Sequence, residues 1–351
     1  MTLPDDDLLG INEIAELAGV SKQAVANWRA RFKDFPPPVA DLRSGPVFRA
    51  RQVRAWLRRR KVPMARVIAL INLKGGVAKT TTTVSLAETL ASRFGKRVLV
   101  ADLDPQTNAT VMLVGEDRWE QANERGRTLA TLFKDALDPN PNNKHFDLQK
   151  TLMRGVSDVQ GADRVDLLPS SLDLIDVQDK LASAPTGQFY SVTPIDILRL
   201  AVKSILDDYD IVLIDCPPNL GIITLNGLRI AEGYIIPTVP DVLSTYGIPQ
   251  IIERVKRFSR EIAEDVEPLG IVITKFQANS KTHVNVADRL RKENSPPVFD
   301  TYIRQSDQYA AAAEFQAGGR RTLKQKYGYG DLAERLIDLA KEVLVKLEID
   351  E

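Results

Sequence analysis

The chain has 351 residues, 27% of them charged, with 47 Lys plus Arg against 47 Asp plus Glu, one Cys and two His. That length predicts two domains and a sizeable core, and the even charge excludes both a disordered polyelectrolyte and a uniformly basic nucleic-acid coat. One Cys excludes an intramolecular disulfide framework and, with two His, leaves little for a structural zinc site. The N-terminal stretch MTLPDDDLLG is acidic, and no apolar run approaches the roughly 18 residues of a bilayer span, so the expected setting is the reducing cytoplasm with no membrane partner.

Charge is unevenly spread. Residues 1–65 hold 12 basic and 7 acidic side chains, and the stretch from Arg49 to Lys61 has seven of those bases and no acid. The texture changes at Val62-Pro63-Met64, which places a domain boundary near residue 65 and predicts domains at 1–65 and 66–351. In INEIAELAGVSKQAVANWRARF, the spacing of Ile14, Leu17, Val20, Val25 and Trp28 predicts two short helices with these residues on their inner faces. Gly19 permits a tight turn between them and Ser21 is a good N-cap, which is helix-turn-helix spacing. In such a motif the second helix enters the major groove, making Lys22, Gln23, Asn27 and Arg29 candidates for DNA contact. SGPVFRARQVRAWLRRR, with Arg49, reads as a turn, a short strand and a basic helix, and resembles the wing and third helix of small winged or MerR-like DNA-binding domains. A three-helix dimerisation module with a solvated Arg face is the alternative.

From Arg66 onward, apolar runs predict strands at 67–72, 97–104, 164–170, 210–218, 233–240, 269–275 and 297–303. Helical patterns at 81–94, 194–208, 248–263 and 331–347 alternate with them or follow them, predicting a doubly wound, mostly parallel α/β sheet. Residues 135–147 read as a polar surface loop, and His145 and His283 as surface histidines.

The first of these strands runs into NLKGGVAKTTTT and then a helix. Backbone N–H groups of Gly75, Gly76, Val77, Ala78 and Lys79 can form an anion nest at a helix N-terminus. Lys79 is placed to reach the β- and γ-phosphates of a nucleotide, Thr80 to ligate Mg²⁺ and Thr81 to bond the α-phosphate. The usual G-x-x-x-x-G-K-[ST] pattern is not met, because Leu73 and Ala78 stand at its glycine positions; KGGxxK[ST] is met, with a second lysine, Lys74.

That deviant Walker A pattern resembles the ParA/MinD family of P-loop ATPases. DLDPQTNAT is similar to the family's DLDPQGNAT, with Thr107 in place of Gly; LLPSSLDL, IVLIDCPPNLG, PTVPDVLSTYGI, VFDTYIR and GYGDLAERLIDLAKEVL follow in the family's order over residues 66–351. The resemblance implies ATP and Mg²⁺ as cofactors and an ATP-dependent homodimer in which Lys74 reaches the partner's phosphates. It implies Asp104 as the residue positioning the attacking water, Asp102 and Asp215 around Mg²⁺, and Pro240 and Asp241 at the nucleotide. It further implies a slow ATPase stimulated by a ParB-type centromere-binding protein, and nonspecific DNA binding that associates the protein with the nucleoid. Arg304, Arg320, Arg321, Lys324 and Lys326 are candidates for that DNA contact, with a solvated charged face as the alternative. The N-terminal module resembles that of longer plasmid partition ATPases, implying an operator-binding autorepressor. An ATP-switched transcriptional regulator is a second reading. A membrane-cycling MinD-like role is disfavoured by the acidic ending KLEIDE.

Overall fold

The computed structural model describes residues 8–59 apart from 19, 21, 33, 43 and 44, residues 65–183 apart from 139, and residues 193–349 apart from 318 and 319. It divides into two compact units, Met1–Ala65 with Lys203–Asp210, and Arg66–Val202 with Ile211–Glu351.

The first unit contains β1 (Leu8–Gly10), α1 (Ile11–Ala18), α2 (Lys22–Arg31), β2 (Ala40–Leu42), β3 (Gly45–Arg49) and α3 (Ala50–Arg59). Its strands form an antiparallel sheet in the order β1-β3-β2, with Leu9 opposite Phe48. A unit this small gains most of its burial from aromatics: Leu9, Ile14, Val25, Trp28, Phe35, Phe48, Val53 and Trp56 share one core, with Phe35 edge-on to Phe48 and Trp56. The two helices fall where apolar spacing places them. Leu17 does not turn inward as expected and is 44% exposed. The turn at Gly19, the cap at Ser21 and the break at Val62-Pro63-Met64 lie outside the described residues. Strands β1 and β2 were not foreseen, because three residues are too few to show a period.

The second unit is built on β4 (Arg66–Leu70), β5 (Val98–Asp102), β6 (Val165–Leu168), β7 (Ile211–Asp215), β8 (Gly233–Thr238), β9 (Glu267–Phe276) and β10 (Val298–Arg304). All seven pair in parallel, in the order β10-β9-β8-β4-β7-β5-β6. Its helices are α4 (Lys79–Phe94), α5 (Asn108–Val114), α6 (Glu116–Glu124), α7 (Leu129–Leu137), α8 (Leu148–Thr151), α9 (Leu174–Ser183), α10 (Ile197–Val202), α11 (Ile222–Ile230), α12 (Val242–Tyr246), α13 (Ile248–Ile262), α14 (Lys281–Glu293), α15 (Asp307–Ala311), α16 (Leu323–Tyr327) and α17 (Asp331–Lys346). Strands β5 to β8 are buried throughout, which is why they read as unbroken apolar runs and not as alternations. Strand β4 sits where the order reverses, and open sheets of this kind bind ligands at the carboxyl ends of the strands beside that point. The helix expected over 194–208 stops at Val202; a tight 3₁₀ turn follows, with Asp208 N–H donating to Ile205 and Tyr209 N–H to Leu206.

A buried ionic cluster holds the C-terminal segment against α4. The Lys326 ammonium donates to Glu88 and Asp158, each at 2.7 Å, with its side chain fully buried. Glu88 also accepts from Ser157 at 2.8 Å and from the Tyr327 hydroxyl at 2.6 Å, and Arg321 Nε donates to Asp158 at 3.1 Å. Burial pushes the Asp158 carboxyl up, but Lys326, Gln316 N–H and Arg321 outweigh it and the net shift is downward. Removing one partner strands the others: Lys326→Met should destabilise the fold by about 3–5 kcal/mol, measured by urea unfolding at neutral pH. Because the native Asp158 pKa is depressed, its contribution is complete above the ordinary carboxylate pKa of about 3.9 and is lost as pH falls through the native value. Acid should therefore lower the urea midpoint of the wild type more steeply below about pH 4 than that of Asp158→Asn.

Candidate functional site

The loop from Asn72 to Lys79 leaves the buried strand β4 and is fixed by side chains on both sides. Asn72 donates to the Pro237 carbonyl at 2.8 Å and accepts from Lys74 N–H at 2.9 Å, while the Thr274 hydroxyl of β9 donates to the Val77 carbonyl at 2.9 Å. Gly76 takes φ 75° and Ala78, the residue before α4, takes φ 61°. The second value is the left-handed region that favours glycine, so the alanine noted in the sequence is a strained one. Thr107 repeats the pattern at φ 58° before α5, again where the related motif has Gly.

These turns line a cavity of about 570 Å³, within the range of small-molecule sites. Gly75, Gly76, Ala78, Lys79, Thr80, Thr81 and Asp104 form its phosphate-loop side. Lys79 is buried, donates to the Lys74 carbonyl at 3.2 Å, and has its pKa lowered by burial against the opposing pull of Asp215 and Asp104. A buried ammonium flanked by N–H groups at a helix N-terminus calls for an anion. Asp104 lines the cavity, with Oδ1 accepting from Gln106 N–H at 2.9 Å and its carbonyl accepting from the Ser170 hydroxyl at 2.7 Å.

The residues fit Mg²⁺ in part. Asp215 is fully buried at the end of β7, and its Oδ1 accepts from the Thr83 hydroxyl at 3.2 Å. Its Oδ2 has no hydrogen-bond partner. Burial first, and Asp104 beside it, push this carboxyl up against the hydroxyls of Thr80 and Thr83 and the Lys79 ammonium. An orphaned buried acceptor near a threonine hydroxyl suits a cation. Among the described residues no group of three or more His, Cys, Asp or Glu could hold a metal unaided. Thr80 and Asp215 are the residues that would hold Mg²⁺.

Asp102 is engaged by the loop around it. Its Oδ2 accepts from Thr110 N–H at 2.9 Å and the Thr110 hydroxyl at 2.7 Å, and its Oδ1 from Asp104 N–H at 3.1 Å. Both oxygens accept hydrogen bonds within the loop that carries Asp104, so Asp102 positions that loop, and its expected place around Mg²⁺ is one held through water.

Pro240 and Asp241 are not among the residues that line this cavity. Asp241 instead meets Lys74, whose ammonium lies 3.3 Å from both carboxylate oxygens and 2.8 Å from the Ser244 hydroxyl. Lys74 is thus held by Asp241 and Ser244 and does not line the cavity. The far wall, which the sequence reading missed, comes from Val111 and Met112 of α5, from Lys275 at the end of β9, and from Gln305, Ser306, Asp307 and Tyr309 after β10. Tyr309 is buried, with its hydroxyl 3.3 Å from Ser85 of α4, and burial pushes its pKa up to about 12. No motif marks these positions; Gln305 to Tyr309 were signalled only by their place after the end of β10.

The basic C-terminal cluster is internally matched. Arg304 pairs with Asp331, Arg320 with Asp163 and Lys324 with Glu334. Arg321 is turned to Asp158 and Lys326 is enclosed, which removes Lys326 from any contact with an outside phosphate. In the first unit, Lys22, Gln23, Asn27 and Arg29 are all exposed on α2 and Arg49 is exposed at the end of β3.

Fold, loop and cavity together define a P-loop ATPase with the deviant Walker A loop. An AAA domain family model matches residues 65–267, well over half the chain. The chromosome-partitioning ATPase Soj of Thermus thermophilus is 32% identical over 283 residues, 81% of this chain and 97% of that one. The sporulation initiation inhibitor protein Soj of Bacillus subtilis is 30% identical over 280 residues, 80% and 98% of the two chains. Among solved structures, cobyrinic acid a,c-diamide synthase from Mycobacterium smegmatis, with a bound ATP analogue and magnesium, superposes with a TM-score of 0.60 at 24% identity, over 81% of this chain and 96% of that one, a likeness of fold alone. The chain belongs to the ParA/Soj family of ATPases. It hydrolyses ATP.

The strained loop makes a direct forecast. Ala78→Gly and Thr107→Gly should each stabilise the nucleotide-free protein by about 1 kcal/mol, read from urea unfolding. Unchanged or lowered stability would show that these residues do not hold a left-handed conformation.

Proposed function

We propose that this protein is a DNA-partition ATPase whose catalytic unit is a homodimer formed on ATP. The observation that carries the reading is Lys74. It belongs to the phosphate loop, yet its ammonium is held outside its own cavity by Asp241 and Ser244, on a side chain 41% exposed. A cation so placed is available to a nucleotide presented by a second subunit, where it would offset charge developing on the transferred phosphoryl group. Lys79 then holds the chain's own phosphates, and Asp104, fixed by Gln106, Ser170 and Asp102, orients the attacking water. Mg²⁺ supplies charge neutralisation at the phosphates when bound.

In this reading the ATP dimer holds DNA nonspecifically on the nucleoid and lets go on hydrolysis, stimulated by a ParB-type partner. Residues 1–65 form a separate winged helix-turn-helix domain that binds an operator through exposed Lys22, Gln23, Asn27 and Arg29 of α2, repressing the protein's own operon. The names of the Soj relatives, one of them a chromosome-partitioning ATPase, support the partition role.

Two variants separate the parts. Lys74→Ala should bind an ATP analogue with unchanged affinity in isothermal titration while its steady-state turnover falls by more than about 100-fold. Asp104→Ala should bind ATP and dimerise but not hydrolyse. Normal turnover in Lys74→Ala would contradict the action across subunits, and normal turnover in Asp104→Ala would remove Asp104 from its role.

A further inference from the structure

The DNA contact of the ATPase unit needs cations that are exposed and not already matched by an acid. The C-terminal cluster does not supply them, since each of its five bases faces a carboxylate. Helix α13 does. Its apolar side, Ile248, Ile251, Val255 and Phe258, is buried. On its outer side Arg254, Lys256 and Arg257 are exposed and have no ion-pair partner among the described residues; the nearby Glu253 is turned to Arg260 at 3.8 Å.

Strands β8, β9 and β10 are consecutive in the sheet, so right-handed crossovers put α13 and α14 on the same sheet face. A groove of about 310 Å³ lined by Ile248 and Pro249 of α13 and by Arg289 and Leu290 of α14 joins them. The last turn of α14 adds exposed Arg291 and Lys292, again without ion-pair partners among the described residues. Arg254, Lys256 and Arg257 thus lie on the outer side of α13, with Arg291 and Lys292 on the neighbouring helix α14; the exposed apolar residues nearby, Val242, Leu243 and Tyr246, belong to α12, and two of them line the groove. Unmatched cations along the outer side of α13 suit a polyphosphate backbone, which is held by charge, and the vesicle arm of the test below separates it from a lipid surface.

We propose that the α13–α14 face, centred on Arg254, Lys256 and Arg257, is the surface through which the ATPase unit holds duplex DNA without regard to sequence. This rests on the reading above that the ATP-bound protein binds DNA.

The test uses full-length protein and a fluorescein-labelled 40-base-pair duplex of arbitrary sequence, with ADP or a slowly hydrolysed ATP analogue, across a salt series. The triple variant Arg254→Ala, Lys256→Ala, Arg257→Ala should bind the analogue normally and keep the wild-type circular dichroism. Its ATP-dependent DNA affinity should fall at least about tenfold, with the log–log salt slope shallower by about 0.9 for each phosphate that is no longer neutralised. Arg320→Ala with Lys324→Ala should change that affinity by less than about twofold. The assignment is overturned if the triple variant binds DNA as the wild type does, or if it instead loses only its association with phosphatidylglycerol vesicles. A wild type with no ATP-dependent DNA binding would overturn the underlying reading and this face together, and is distinguished by needing no variant at all.

Discussion

One constraint organises the catalytic unit: a polar loop must leave a buried parallel strand and present its charges to a ligand without water's help. At the end of β4 the sheet is fully covered, so Asn72 and Thr274 take up loop groups that would otherwise be unsatisfied, and Lys79 is enclosed next to Asp104 and Asp215. What remains unmatched is what ATP and Mg²⁺ bring, an anion for the Lys79 ammonium and a cation for the orphaned oxygen of Asp215. The positive φ angles at Ala78 and Thr107 belong to the same constraint. They turn the chain sharply into α4 and α5 on either side of the cavity, and the packed sheet beneath over-determines a conformation those residues would not choose.

Around this loop a hierarchy of carboxylates carries out different tasks through environment alone. Asp102 spends both oxygens on Thr110 and Asp104, which makes the Asp104 loop rigid. Asp104 remains on the cavity wall, Asp215 faces the phosphate loop, and Asp241 holds Lys74 outside. Farther along α4, Glu88 anchors Lys326 and Tyr327, so the helix that begins at the phosphate loop is also the one to which the C-terminal segment is fixed.

Much of this was legible from the chain. Strands β5 to β8 announce themselves because strands buried on both faces must be apolar throughout, and the phosphate loop because only small residues, lysines and hydroxyls serve that chemistry in that order. Ion pairing was not legible. GGRRTLKQK reads as an exposed basic run, but the acids that enclose Lys326 lie 238 and 168 residues away in the chain. The same blindness hid the α13 cations, whose significance comes from the absence of partners and not from any run of charge. The motif places Asp102 beside Asp104, and only the fold shows that Thr110 also donates to it. Pro240 and Asp241 follow a buried strand in the expected way, and only the fold shows that Asp241, at the start of α12, also meets Lys74. The short strands of the first unit fell below the length at which any periodicity can speak.

The central claim is that ATP is bound by one subunit and completed by Lys74 of another. It is tested most directly by light scattering of the full-length protein with Mg²⁺ and a slowly hydrolysed ATP analogue, alongside a titration of nucleotide stoichiometry. The account predicts one nucleotide per chain and a doubling of mass over the nucleotide-free and ADP states. One bound nucleotide per chain with the mass unchanged at saturation would contradict it.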